Sequence, residues 1–522
     1  MSRVRKKYHI IPYIVIILTI IIAAFGIKWF RYSNLSIGSG SEAIYLYRYY
    51  RFIVVVLLAG ASVLFYNAFV KKRSVCTLFV IAGAFLGIMF SLAVTPNAAA
   101  DETKHMYAAT SFANKITNVA DSDEPYTYYT RVTDALNGLD KNISASNYSV
   151  MAQKMVEKPS KEDKYLIKAS SEVYNYSPVA AFFYSPAIIG IVIGRALGLN
   201  GILTYTIARL LMLTVYLVLG ALAIRKIPMG KNILALVMLM PTAISRAACV
   251  SEDAIIHGTA FLFVAYAVSF IMSRKKIKTC DAVIMAVCGV IIAMSKGGVY
   301  LPLLLLLFMI PKENFGTKIK YPSIVAVSIA VAIGAFIVAN PTLIKDFAGS
   351  DSQLIYTDSE TGYSLGRIIS NPKESLQTLL ATIFVKSGDH YSEMLAGGFG
   401  WLQIYVSDLT VVMCTILLAI SVLNLDGKEI CFSKKQRILT YVAIFVGGLL
   451  IIASMWIFWS PDTTGYIQGI QGRYFLPYLF PALLALKNHK AVIRKNIDNF
   501  LIFGIFLIGI VTFFEIWVRI SI

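Results

Sequence analysis

The chain is a series of long apolar runs separated by short basic links. Runs near the roughly 20 residues that a helix needs to cross a bilayer core occur at Ile10–Ile27, Phe52–Val70 and Val75–Val94. Six more lie at Leu203–Ile224, Ile233–Cys249, Ala254–Met272, Ala282–Met294, Tyr300–Ile310 and Ile324–Asn340. Ile404–Leu423, Ile438–Trp459, Phe475–Leu486 and Phe500–Val518 follow. None alternates polar and apolar residues with the period of two that a membrane β-barrel needs. The pattern predicts an all-α, polytopic transmembrane bundle of about 13 spans.

Composition agrees. Of 522 residues, 57% are hydrophobic and 15% charged, against about 25% charged in soluble domains. The net charge of +19 could suggest nucleic acid, but its distribution excludes that partner. Basic residues gather in links such as Lys71-Lys72-Arg73, Arg225-Lys226, Arg274-Lys275-Lys276 and Lys434-Lys435. These links fall at alternate crossings if the N-terminus is cytoplasmic, which is the positive-inside rule. Lys28, Arg31, Arg48 and Arg51 run against it. The expected location is therefore a plasma membrane, with the first run kept as a helix rather than removed as a signal peptide. The six cysteines lie in apolar runs or basic links, so no disulfide framework is expected.

This topology divides the chain into N-terminal transmembrane helices (1–95), a first large extracytoplasmic loop with interfacial helices (96–200) and a central bundle (201–340). A second extracytoplasmic loop (341–403) and C-terminal transmembrane helices (404–522) complete it. Pro178–Ile193 is apolar enough to span, yet a crossing there would move every later basic link outside. An interfacial or re-entrant helix is expected instead, with Tyr176 and Tyr184 at the headgroups.

Candidate chemistry sits where charge interrupts apolar sequence. Asp101, Glu102 and His105 follow the third run, and Asp101 and His105 share one face if a helix begins there. A carboxylate and an imidazole so placed could hold a divalent cation or act as base and orienting partner; an acidic helix N-terminus is the plainer reading. Asp253 stands in a second short outer link, making a joint metal or general-base site with Asp101 and His105 conceivable, and Arg246 is its nearest cation. Lys296 and Arg473 are outer-face cations that a lipid-linked phosphate would neutralise, the plain alternative being snorkelling. Asp121-Ser-Asp123 reads as a solvated turn, and the sequons at Asn142 and Asn147 carry little weight. Asp389-His390-Tyr-Ser-Glu393 reads either as a ligand cluster or as a capped surface helix. Gly397-Gly-Phe-Gly400-Trp401 lacks the Lys-Ser/Thr of a phosphate loop, so no nucleotide cofactor is expected.

Taken in order, Asp101-Glu102 with His105, a Tyr-x-Pro segment, Arg209, Lys296-x-x-x-Tyr300-x-Pro302, Gly397-x-Phe-Gly-Trp401 and Gln471-Gly-Arg473-Tyr474-x-x-Pro477 resemble a bacterial family of multi-pass membrane proteins catalogued as a domain of unknown function. That family is in turn similar to the GT-C superfamily of integral-membrane glycosyltransferases. The resemblance implies transfer of a sugar from a polyprenyl-phosphate donor to a cell-envelope glycan or lipid-linked acceptor, among membrane lipid, on the extracytoplasmic face. It makes Asp101 a base or a metal ligand and Asp253 the second-loop carboxylate, which puts catalysis at Asp101, Glu102 and Asp253; if a divalent cation (Mg or Mn) takes part, Asp101, His105 and Asp253 would hold it. Substrate binding would fall to Lys296, Arg473, Gln471, Tyr474, Arg246 and Tyr300. The rival readings are a transporter or flippase of lipid-linked precursors, which should show inverted repeats and mid-bilayer charges, and an envelope scaffold.

Overall fold

The computed structural model describes residues 41–119, 127–131, 136, 139–158, 166–170, 178–273, 276–315, most of 328–337, 362–423, 431–493 and 495–521. The Ile10–Ile27 run, most of the Ile324–Asn340 run, Asp121-Ser-Asp123 and the acidic residues Asp346–Glu360 lie outside the described residues.

The described chain is helical apart from one antiparallel ribbon. Helix α1 (Ser41–Phe65) continues as a π-helical turn, and α2 (Val75–Ala93) follows. The first polar segment then forms α3 (Glu102–Ile116), β1 (Thr127–Arg131), α4 (Ala145–Lys154) and β2 (Leu166–Ser170). Strands β1 and β2 pair from Thr127↔Ser170 to Arg131↔Leu166. Next come α5 (Pro178–Ala196), α6 (Gly201–Lys226), α7 (Lys231–Leu239), α8 (Pro241–Ala247), α9 (Asp253–Met272) and α10 (Thr279–Met294). Helices α11 (Leu365–Ser370), α12 (Pro372–Leu395), α13 (Asp408–Leu423), α14 (Lys434–Trp459), α15 (Leu476–Leu486) and α16 (Asp498–Ser521) complete the order.

Seven of these, α1, α2, α5, α6, α9, α14 and α16, are long and apolar enough to cross a membrane, and α10 and α13 are shorter apolar helices. The expected thirteen spans are thus not reproduced among the described residues, and proline is the main reason. The Ile233–Cys249 run is two helices, because Pro241 cannot donate to the preceding turn and forces Met240 into an extended conformation (ψ 140°). Tyr300–Ile310 winds as a 3₁₀ segment over Leu301–Met309, opened by Pro302. Phe475–Leu486 contains only the 11-residue α15. The second polar loop is also more ordered than its composition suggests, since it holds the 24-residue α12.

Local signals set the helix ends. The Ser74 hydroxyl accepts from Thr77 N at the start of α2, Asn200 accepts from Leu203 N at the start of α6, and Ser433 and Gln436 form a capping box on α14. Glu515, a carboxylate within α16, accepts from Ser407 N and from the Ser407 and Thr410 hydroxyls, capping α13 from a neighbouring helix.

The first polar segment docks on one end of the bundle. Tyr148 of α4 donates to Ala93 O and stacks on Trp517, while Tyr49 of α1 donates to Leu92 O. Helix α5 lies antiparallel on α6, with Gly190 facing Ala208 and Gly194 facing Thr204. A Cβ at Gly190 would come within 2.5 Å of the Ala208 backbone, so glycine is what permits the approach. The α5–α6 turn then returns to the first segment: the Asn200 amide donates to Lys154 O and Glu157 O. Residues 154–157 and 200 therefore share one side of the bundle, although α5 is long enough to cross.

A net crossing between these points is left to α6 alone. Reporter fusions at Asp140 and Gly230 are thus expected to report opposite sides of the membrane. Activity from both fusions on one side would overturn this placement of α5.

Candidate functional site

The site is built on a buried ion pair. Arg209, in α6, is fully buried and spends its whole guanidinium fork: Nε and Nη2 donate to the two Glu102 carboxylate oxygens, Nη1 to Ser91 O and Val94 O, and Nη2 also to Thr95 O. Glu102 Oε1 further accepts from Val250 N. The end of α2, the start of α3, the middle of α6 and the approach to α9 are thereby fixed to one another. Glu102 therefore sits in this pair, turned away from its neighbour Asp101. With both oxygens so engaged, it has the geometry of a scaffold residue rather than of the catalytic group that the motif suggested.

Asp101, one residue earlier, is held in the left-handed conformation (φ 64°) at the start of α3. Its Oδ2 receives Arg473 Nη2 at 3.2 Å. Asp253, at the first position of α9, is buried and faces two cations: Lys296 Nζ donates to Oδ1, and Arg473 Nε lies 3.3 Å from Oδ2. Asp101, Asp253, Lys296 and Arg473 thus meet in one cluster where α2 and α10 end and α9 and α15 begin. Lys296 also has a positive φ, 42°, a conformation that side chains adopt only where the surroundings enforce it. Burial works against both charges of the Arg473–Asp101 contact. It pushes the Asp101 carboxyl up, but the nearby positive charge, Arg473 first, outweighs it and holds the group below its ordinary range. Conversely, Asp253 and Asp101 raise Arg473 despite its burial.

Two further groups approach Asp253 and Asp101. His257, one turn along α9, lies 4.0 Å from Asp253. The Asp253-x-x-x-His257 spacing in the sequence is the signal for this contact. His105 Nδ1 lies 2.5 Å from Tyr184 Oη, which donates to Glu252 Oε1, so α3, α5 and the head of α9 are linked by a His–Tyr–Glu chain. Burial lowers the His105 pKa against the pull of Glu252 and Asp101.

The remaining candidates arrange the backbone around the cluster. Arg246 donates to Ala100 O and Gly398 O rather than pairing with Asp253. Tyr300 is buried and donates to Tyr474 O; the Tyr474 ring lies 4.5 Å from Lys296 Nζ and 5.4 Å from the Arg473 guanidinium. Gln471 Oε1, Arg473 Nε and Arg473 Nη1 are buried without a hydrogen-bond partner among the described residues. Glu393, in the acidic cluster of α12, accepts from Gly472 N and from Tyr405, so it holds the turn that carries Arg473. Asp389 is instead exposed and paired with Lys386. The Gly398–Trp401 turn closes over the first polar segment, with Trp401 Nε1 donating to Asn97 O. Asn147 is buried and bonds Asp140 and Asn142, so its sequon is structurally engaged.

A divalent cation fits these residues poorly. It calls for several oxygen ligands converging on one point, whereas both carboxylates face cationic side chains and His105 Nδ1 faces Tyr184. Among the described residues, no three His, Cys, Asp or Glu side chains are grouped to hold a metal.

A family described as predicted membrane proteins (DUF2142) matches residues 84–481. The chain belongs to this family. The match begins in α2 and ends in α15, so it takes in all four residues of the charge cluster and both members of the Arg209–Glu102 pair. No curated protein and no solved structure matches the chain. Family and helices together make it a membrane protein.

The scaffold role of the buried pair has a measurable consequence. Arg209→Met leaves Glu102 buried and unpaired, a change that costs about 3–5 kcal/mol, so the thermal midpoint in detergent should fall clearly. Adding Glu102→Leu should recover part of the loss. Equal midpoints for Arg209→Met and the parent would refute the scaffold role.

Proposed function

We propose that this protein is a glycosyltransferase of the bacterial plasma membrane, with a cytoplasmic N-terminus and the charge cluster on the extracytoplasmic face. It would transfer a sugar from a polyprenyl-phosphate donor to a cell-envelope acceptor. The observation that carries this reading is the meeting of Lys296 and Arg473 with Asp101 and Asp253, together with the unspent donors of Arg473. Arg offers a bidentate fork to a phosphate and Lys a point charge, and carboxylates beside them can take a proton from a hydroxyl.

In this reading the acceptor oxygen bonds the anomeric carbon as the bond from that carbon to the phosphate oxygen breaks. The electron pair leaves with the phosphate, which Arg473 and Lys296 stabilise, and the hydroxyl proton passes to Asp101. The contact between Arg473 and Asp101 gives a reason for the order of events. While Arg473 holds Asp101, that carboxylate is a weak base; a phosphate that draws the guanidinium away would raise its proton affinity. Donor binding would thereby prime the base. Asp253, deeper and at the head of α9, would keep Lys296 in place.

Comparison of envelope glycans by mass spectrometry, with and without the gene, tests the reading. Asp101→Ala and Asp253→Asn should each abolish the modification without lowering protein level or membrane insertion. Arg473→Lys, which keeps the charge but loses the fork, should reduce it by about 10²- to 10³-fold. Unchanged glycans in both carboxylate variants would sink the assignment.

A further inference from the structure

Helix α12 is built inside out. A helix packed against a water-soluble core turns its apolar stripe inward, but α12 does the opposite. Phe384 is 81% exposed, Leu376 56%, Ile383 45% and Leu380 42%, whereas Thr378 and Thr382 are 4% and 3% exposed. The four exposed residues recur at three- and four-residue intervals, so they form one face. The inward polar groups are satisfied: Thr382 Oγ1 accepts from Ile467 N and donates to Thr378 O, and Glu393 accepts from Gly472 N. Between Glu374 and Lys386 the helix carries no charge.

The exposed face continues onto that of a neighbouring apolar helix. Tyr391 Oη lies 2.7 Å from Thr415 Oγ1, joining the end of α12 to the middle of α13. On α13, Leu409 is 68% exposed and Val412 and Ile416 are each 50% exposed. A contiguous apolar surface of this kind, on a membrane protein, fits acyl chains better than water. The uncharged stretch of α12 is about 16 Å long at 1.5 Å per residue, about half the hydrocarbon thickness of a bilayer.

We infer that α12 lies within one leaflet of the membrane, its Leu376–Leu380–Ile383–Phe384 face against lipid acyl chains. Near its end the same helix holds Gly472, next to Arg473, against His390 and Glu393. The charge cluster is therefore set beside the lipid rather than above it, and a membrane-borne anion can approach it sideways. This inference does not depend on the reaction proposed above, because it concerns only what covers the helix.

The test uses the full-length protein, with its accessible cysteines replaced, in phosphatidylethanolamine–phosphatidylglycerol liposomes. Nitroxides are attached at Phe384→Cys, Leu380→Cys and Asp389→Cys, with Ile383→Cys in reserve should Phe384→Cys fail to give a monodisperse protein. Collision with dissolved oxygen relative to a water-soluble nickel chelate should be several-fold higher at Phe384→Cys and Leu380→Cys than at Asp389→Cys. A ratio no higher than at Asp389→Cys would show a face open to water. Weak collision with both reagents would show a second copy or another protein over it. Either result overturns the inference.

Discussion

A guanidinium with no solvent exposure must find all of its hydrogen-bond partners inside the protein, and Arg209 finds them on two segments, the carbonyls of Ser91, Val94 and Thr95 and the carboxylate of Glu102. An unpaired ion at such a position would cost several kcal/mol, so the fold has one economical way to close around it. The end of α2 must present its last carbonyls, α3 must begin by pointing Glu102 inward, and Val250 must bring its N–H to the same carboxylate. Once those conditions are met, the candidate site is largely determined. Asp101 is one residue from Glu102, and Asp253 is three from Val250. The ion pair therefore brings two carboxylates from distant parts of the chain to one end of the bundle without itself entering the cluster.

The cluster shows the mark of that constraint in its backbone. Asp101 and Lys296 both have positive φ, a conformation costing about 1–3 kcal/mol for a non-glycine residue. Each is tied down by its partners: Asp101 by Arg473, and Lys296 by Asp253 and the Tyr474 ring, with two positive-φ glycines following it. Arg473 follows Gly472, where a Cβ would stand 2.0 Å from His390 O, so the chain entering the cluster is pressed directly against α12. Position in this site thus comes from packing and backbone geometry, and the side-chain charges then select one another.

Much of this was legible in the sequence, for a definite reason. In an apolar context a charge is conspicuous, and Asp101, Asp253, Lys296 and Arg473 all stood out on that ground before any geometry was known. What composition could not decide was which of two adjacent carboxylates faces the cluster. Asp101 and Glu102 are neighbours, yet the turn into α3 sends one to Arg473 and the other to Arg209. The spans were legible where apolar residues run unbroken, as in α1, α2, α6, α9, α14 and α16. They were misjudged where proline divides a run, as at Pro241. Helix α12 shows only as the surface-helix reading of Asp389–Glu393, for the opposite reason: its inward threonines and Glu393 dilute its hydropathy, so the rest of it reads as a polar loop although its outward face is apolar.

The charge balance of the cluster bears on how any anion could bind there. Arg473 and Lys296 already have carboxylate partners, so an incoming phosphate must compete with groups held at close range in a medium of low dielectric. Such competition favours a ligand that offers more oxygens to the same fork than one carboxylate can. It also links occupancy to protonation, because each guanidinium contact surrendered by Asp101 removes part of what keeps that group ionised. A neutral ligand would gain nothing from the exchange. Specificity for an anion and activation of a base would then be two results of the same displacement, with Arg473 as the residue that moves between them.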